Sequence, residues 1–361
     1  MGYNFEYVQQ RYREFWNREN EDRPIFNMHA PKNIVLPEIK APQTLAQRWL
    51  DAEYQIKNFR RGVEMTEYLA ESFPLFNPNL GPDILGAVCG GCELEFGEVT
   101  SWAEEHKLTD YESFPKIEFN ENNKWWKKIA EITKAAAEDA KGDYLVGITD
   151  LHPGADAIVS MRGAEEAALD LYLEPENFKQ RVWEVFDIFK EMTARLNAII
   201  SAKQQGSANW MSILQPDKLW YVTSCDFAYM ISQEHFEEFI VPELLAELDW
   251  LEASIFHLDG VGSLKHLDRL LEMEKLGGVQ WVYGDGKPTA KHWIDVYKKI
   301  QAAGKCVEIP CRFDDIIPVC EALDPRGVRF CCDAPDIESG KEMIKEVERI
   351  CRQKRGVFAL K

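Results

Sequence analysis

From residue 144 onward the chain repeats one pattern: a short apolar run, a polar or glycine-rich break, then an amphipathic helix. The periodicity predicts strands over 144–149, 210–214 (continued by 220–223), 253–258, 279–283, 306–309 and 328–332. Helices are predicted between them over 155–172, 176–204, 233–250, 263–273, 290–302, 313–322 and 336–352. Apolar strands of this length joined through helices pair in parallel and bury both faces. Upstream, 24–29 and 83–88 read as two further strands, and 44–69 as one or two helices. Eight strand–helix units predict an α/β fold, a single closed (β/α)8 TIM barrel. No Gly-x-Gly-x-x-Gly follows the first strand, which argues against a doubly wound dinucleotide fold. Residues 1–22 read as an N-terminal helical extension. Residues 89–120 read as an insertion after strand 2, a hairpin or lid over the site. No repeat or low-complexity linker divides the chain, so 1–361 is read as one domain.

The active-site end of such a barrel is the carboxyl end of its strands. Those ends carry His29, Cys89, Asp150 and His152, Asp226, His257 and Asp259, Cys311, and Cys331-Cys332-Asp333. His257 and Asp259 are two apart on one strand and share a face. With the sulfur of Cys332, three strands further round, they offer the N, O and S donors that suit zinc. Only one of Cys331 and Cys332 can face inward, because neighbours on a strand alternate. Asp150 and Asp226 either cap the following helices or orient a substrate and act as general base. His29, His152, Trp281 and Tyr283 are the candidate substrate-pocket residues. The chain has eleven tryptophans, and Trp210, Trp220 and Trp281 lie in or beside strands. They read as core or as a flat aromatic lining. The lone Cys89-Gly90-Gly91-Cys92 lacks the second cysteine pair of a metal knuckle. Gly284-Asp285-Gly286-Lys287-Pro288 lacks the spacing of a phosphate loop.

Net charge is −19 and no basic patch stands out, so nucleic acid and anionic membrane are not expected partners. No apolar run approaches the ~18 residues of a membrane span. The N-terminus has no signal-peptide pattern, and nine cysteines without export read as cytoplasmic thiols.

Three stretches resemble the uroporphyrinogen decarboxylase superfamily, and among its branches the MtaA-like cobamide-dependent methyltransferases. They are Pro24-Ile25-Phe26-Asn27-Met28-His29-Ala30; Cys225-Asp226-Phe227 with Ser232–Phe239 and Pro242; and Phe256-His257-Leu258-Asp259-Gly260. The resemblance implies a TIM barrel and, in the methyltransferase branch, a zinc held by His-x-Cys and a distant cysteine. Here that would be His257, Asp259 in place of the first cysteine, and Cys332. The decarboxylases carry arginines after the first strand and a late Gly-His-Gly. This chain has His29-Ala30-Pro31-Lys32 and Phe330-Cys331-Cys332-Asp333 instead, which argues against a polycarboxylate substrate. The expectation is therefore a corrinoid-dependent methyltransferase acting on a small O- or N-methylated substrate. Its catalytic residues would be Asp226, Asp150, His257 and Asp259. Its corrinoid would be carried by a partner protein, since no Asp-x-His-x-x-Gly motif occurs. The related barrels often form homodimers. The alternatives are a decarboxylase-like lyase for a smaller acid and a non-catalytic barrel that binds a corrinoid or tetrapyrrole.

Overall fold

The computed structural model describes residues 4–358. Its centre is a seven-stranded sheet in the order Thr66–Ala70, Ile25–Pro31, Val328–Asp333, Cys306–Pro310, Gly278–Val282, Ala253–Asp259, Trp220–Ser224. All neighbours run parallel except Thr66–Ala70, which lies antiparallel to Ile25–Pro31. The arc between the two edges is made of short pieces. Leu75–Phe76 pairs in parallel with Leu145–Val146, Ile148 bridges Asn209 in parallel, and Ser207–Ala208 forms a hairpin with Leu214–Gln215. This is a mixed α/β, TIM-like arrangement in which the continuous ladder holds seven strands.

Two sequence expectations are corrected here. Residues 83–88 are not a strand. Ile84–Val88 is a helix with every side chain buried. A five-residue apolar run has too little length to show its period. Gly86 lets this helix press on Gly154–Arg162: a Cβ at Gly86 would lie 1.9 Å from Ser160 Oγ. The strand after the 44–65 helices is instead Thr66–Ala70, where the β-branched and aromatic Thr66 and Tyr68 take over from the helix ending at Met65. The fourth strand is also divided, into Ser207–Ala208, Leu214–Gln215 and Trp220–Ser224.

Within 89–120, Glu93–Phe96 and Ser101–Glu104 form an antiparallel hairpin. The N-terminal helix is Phe5–Asn17, capped by the Asn4 side chain accepting from Tyr7 N at 3.1 Å. The start of the 1–22 extension, residues 1–3, lies outside the described residues. Among the described residues no helix is long and apolar enough to cross a membrane.

Cross-strand register sorts the sheet into two faces, since paired residues share a face and neighbours alternate. One face carries Phe26, Met28, Phe256, Leu258, Val279, Trp281, Val307, Ile309, Phe330 and Cys332, packed in the large core under the helices. The other carries Asn27, Ser224, His257, Asp259, Gln280, Glu308, Arg329 and Cys331. At its amino-terminal end this polar face turns apolar. There Ile25, Trp220, Val222, Ile255 and Cys306 pack on Tyr12 and Phe15 of the first helix. The helix is thus a plug that seals one end and leaves the strands' carboxyl ends for polar groups.

Candidate active site

The strand Ala253–Asp259 is anchored by buried Ile255, Phe256 and Leu258, while His257 and Asp259 stay half-buried on the polar face. Gly260 ends it at φ +74°, with Tyr229 so close that a Cβ would sit 3.0 Å from the ring. Only glycine supplies that turn without strain or clash. His257 Nδ1 is hydrogen-bonded to Gln280 Oε1 on the neighbouring strand. With Nδ1 as donor, Nε2 is left with a free lone pair.

Asp226 comes to the same place from the end of the Trp220–Ser224 strand. One carboxylate oxygen each of Asp226, His257 Nε2 or Nδ1, and Asp259 lie within 4.8 Å of one another. Asp226 begins the 3-10 turn Asp226–Tyr229, and Asp156 sets that turn. Its two carboxylate oxygens accept from the backbone N–H groups of Asp226 and Phe227, both at 2.9 Å.

His152 is the second centre. Its Nε2 is 3.1 Å from Asp150, and its Nδ1 is 3.4 Å from Asp156 and 3.9 Å from Asp226. The buried Tyr221 hydroxyl holds this loop, accepting from Leu151 N at 2.6 Å and donating to Thr149 O. Burial opposes charge on His152, yet the adjacent Asp150, with Asp156 and Asp226, raises its pKa well above the ordinary value. Asp226 is more than half exposed, yet desolvation by its packed surroundings and the neighbouring Asp156 raise it, against the pull of His152 and His257. Trp210 joins the two centres. Its ring is 5.2 Å from that of His257, edge-on, and 6.5 Å from that of His152, nearly parallel.

Of the residues singled out in the sequence, Asp150, His152, Asp226, His257 and Asp259 are brought together. His29 is on the polar face but four strands from His257. There its Nδ1 is 3.6 Å from Asp333 and its ring meets Tyr68, and burial lowers its pKa despite Asp333. Cys332 and Trp281 are corrections. Both have the wrong parity and sit in the helix-packed core, Cys332 against Cys311 and Trp281 with its ring 5.4 Å from Trp293. The third donor beside His257 and Asp259 is Asp226 rather than Cys332. Cys331 shares their face and takes a bond from Asn27 Nδ2 at 3.3 Å. Tyr283 leans on Trp293 and away from the site.

Asp156, Gln280 and Ser224 were missed, although Ser224 Oγ lies 3.4 Å from His152 Nδ1. Asp156 follows His152 at i+4 across a helix start, a spacing that puts two side chains on one side. That was its available signal. Gln280 has none short of knowing its register with His257.

The chain matches no protein-family model and no curated protein. Its fold is similar to that of a methyltransferase from Methanosarcina mazei, with a TM-score of 0.61 over 95% of this chain and 98% of that one, at 12% sequence identity. At that identity the likeness is one of fold.

Proposed function

We propose that the chain is a methyltransferase, a single (β/α)8 barrel that moves a methyl group between a small O- or N-methylated substrate and a corrinoid carried by a separate protein. The observation that carries this reading is the Asp226–His257–Asp259 donor set at the carboxyl ends of adjacent parallel strands. Its fold similarity to a methyltransferase supports it.

The donors suit a catalytic zinc: one imidazole nitrogen, its ring oriented by Gln280, and two carboxylates close enough to share an ion. Bound there, zinc would supply Lewis acidity to a departing oxygen or nitrogen. The protein's own contribution is proton control. His152 holds a proton in a buried cage of Asp150 and Asp156. His152, whose Nδ1 lies 3.9 Å from Asp226, is the group placed to pass a proton to the leaving heteroatom. Asp156 fixes Asp226 through its backbone, and the indole of Trp210 gives the substrate methyl an apolar wall. A carboxylic acid would be repelled. Among the described residues no lysine or arginine lies within 4.0 Å of Asp150, Asp156, Asp226 or Asp259.

The test pairs elemental analysis with methylation of cob(I)alamin by methylated oxygen and nitrogen donors, followed by absorbance. We expect about one zinc per chain, its loss in His257→Ala, and a fall in rate of about 10³-fold or more in that variant. Zinc-free protein with unaltered activity in His257→Ala would overturn the reading.

A further inference from the structure

We propose that Cys320 and Cys351 are a redox-closable pair: hydrogen peroxide converts the two thiols to a disulfide that staples the C-terminal helix to the helix before it. The pair lies apart from the candidate active site and does not depend on the methyl-transfer reading.

The first observation is position. Cys320 stands on the Ile316–Ala322 helix and Cys351 on Ile337–Phe358, 31 residues apart in the chain. Their sulfurs are 3.8 Å apart and hydrogen-bonded, and the two residues are 2% and 1% exposed. A disulfide needs about 2.05 Å. Two thiols already in contact across packed helices reach that by a small side-chain rotation.

The second observation is the charge held over the pair. Lys354 and Arg355 follow Cys351 at i+3 and i+4, so both lie on its side of the helix. The Lys354 ammonium donates to Cys320 O at 3.0 Å and to Leu323 O at 2.6 Å. It clamps the end of one helix to the flank of the other and fixes a cation beside the sulfurs. A nearby cation favours the thiolate, which is the nucleophile in thiol oxidation. The hydrogen bond from Cys320 lowers the Cys351 thiol below its ordinary value, against burial, and Lys354 and Arg355 add to it. A hollow of about 300 Å³, lined by Asp324, Arg326 and Arg355, opens one turn beyond Cys351 and gives an oxidant as small as peroxide a way in.

In the first step the Cys351 thiolate attacks one peroxide oxygen. The O–O bond breaks, hydroxide leaves and takes up the proton that Cys351 gave up, and Cys351 becomes a sulfenic acid. Cys320 Sγ then attacks that sulfur. The S–O bond breaks, and the second hydroxide leaves as water with the Cys320 proton. Two thiols have lost two electrons and two protons, and one peroxide has become two waters. The new bond encloses the last strand, Val328–Asp333, in a covalent loop. It also ties down the helix that packs on Ile25–Pro31 and Thr66–Ala70.

The test treats the full chain, reduced and desalted, with hydrogen peroxide. Two of the nine thiols should be lost, and tryptic peptides should show Cys320 linked to Cys351. The melting temperature should rise by about 5 °C and return with dithiothreitol. Cys351→Ala should prevent the cross-link and the rise. Lys354→Met should slow cross-linking about tenfold, with Lys354→Arg restoring the rate. Peroxide that leaves both sulfurs reduced, or that takes either to sulfinic acid without a cross-link, overturns the inference. So does a cross-link that leaves the melting temperature where it was. If Cys351→Ala does not fold, the peptide map and melting curve of the wild-type chain still decide.

Discussion

The two ends of the polar face handle charge in opposite ways. Near the plug, Glu308 and Arg329 are fully buried and matched one to one. Arg329 also donates to the Tyr12 hydroxyl at 3.1 Å and to Ser212 O at 2.6 Å. At the carboxyl ends, four carboxylates gather around His152 and His257 with no lysine or arginine within 4.0 Å among the described residues, and Asp226 is more than half exposed. A matched, sealed ion pair holds elements in register. An unmatched, open cluster is poorly suited to stability and well suited to receiving a cation. On the proposed reading, the difference separates charges that serve the fold from charges that serve chemistry.

The largest test of that contrast lies at the sealed end. Arg329→Met leaves Glu308 buried and unpaired, and it also strips a donor from Tyr12 and Ser212. Breaking a buried pair this way costs about 3–5 kcal/mol. Chemical denaturation should show a loss of that size, with the N-terminal helix released from the sheet. A loss under about 1 kcal/mol would mean the pair is solvated and the contrast between the ends is false.

A third arrangement sharpens the comparison. Glu243 and Glu247 lie i, i+4 on the Val241–Trp250 helix, 4% and 1% exposed, hydrogen-bonded to each other. Two buried carboxyls in contact must share a proton. Glu243 presses on Gly154, where a Cβ would be 2.8 Å from its Oε2, at the start of the helix that carries Asp156. Burial, with Asp156 nearby, pushes Glu243 up to about 7, and burial with Glu243 raises Glu247 well above its usual value. A raised acid keeps its proton in the folded state after the unfolded chain has lost it. Stability therefore falls as pH rises from about 4.5 through about 7, as the dyad loses protons that the unfolded chain has already lost. In Glu247→Gln the amide can donate to an ionised Glu243, so the difference from wild type should grow in the variant's favour over that window. A parallel pair of stability–pH curves would show that the dyad is not coupled as described.

What the sequence disclosed follows from what physics makes local. Strand–helix alternation from 253 to 352 is a two-period signal repeated four times, and each predicted strand there appears within a few residues. The His257–Asp259 pairing follows from strand alternation alone, and both do meet. Ile84–Val88 was misread because five buried apolar residues look alike as strand or helix. Trp210 was read as strand, yet it sits in the turn between the short strands of a hairpin, whose geometry depends on Trp220 Nε1 donating to Ser207 O at 3.0 Å and Ile213 O at 3.2 Å. The Cys331–Cys332 choice needed register: Asn27 opposite Cys331 puts that cysteine, and not its neighbour, on the polar face. Asp156 and Gln280 act through partners distant in the chain, and no local pattern announces such residues.

The smallest expected change in stability is at the open end, and its sign is the point. Asp259 is half-buried, has no lysine or arginine within 4.0 Å among the described residues, and raises Asp226 by repulsion. Removing its charge in Asp259→Asn keeps the side chain's shape and relieves that repulsion. Because Asp226 is largely open to water, solvent screening limits the gain to about 0.5 kcal/mol. The same change takes away one of the three donors around His257, so methyl transfer and metal content should fall steeply while the melting temperature holds or rises. Stability gained where activity is lost marks a residue kept for chemistry. If Asp259→Asn instead lowered the melting temperature as Arg329→Met does, Asp259 would belong with the matched charges of the sealed end. The carboxylate cluster would then be part of the scaffold rather than a place for a cation.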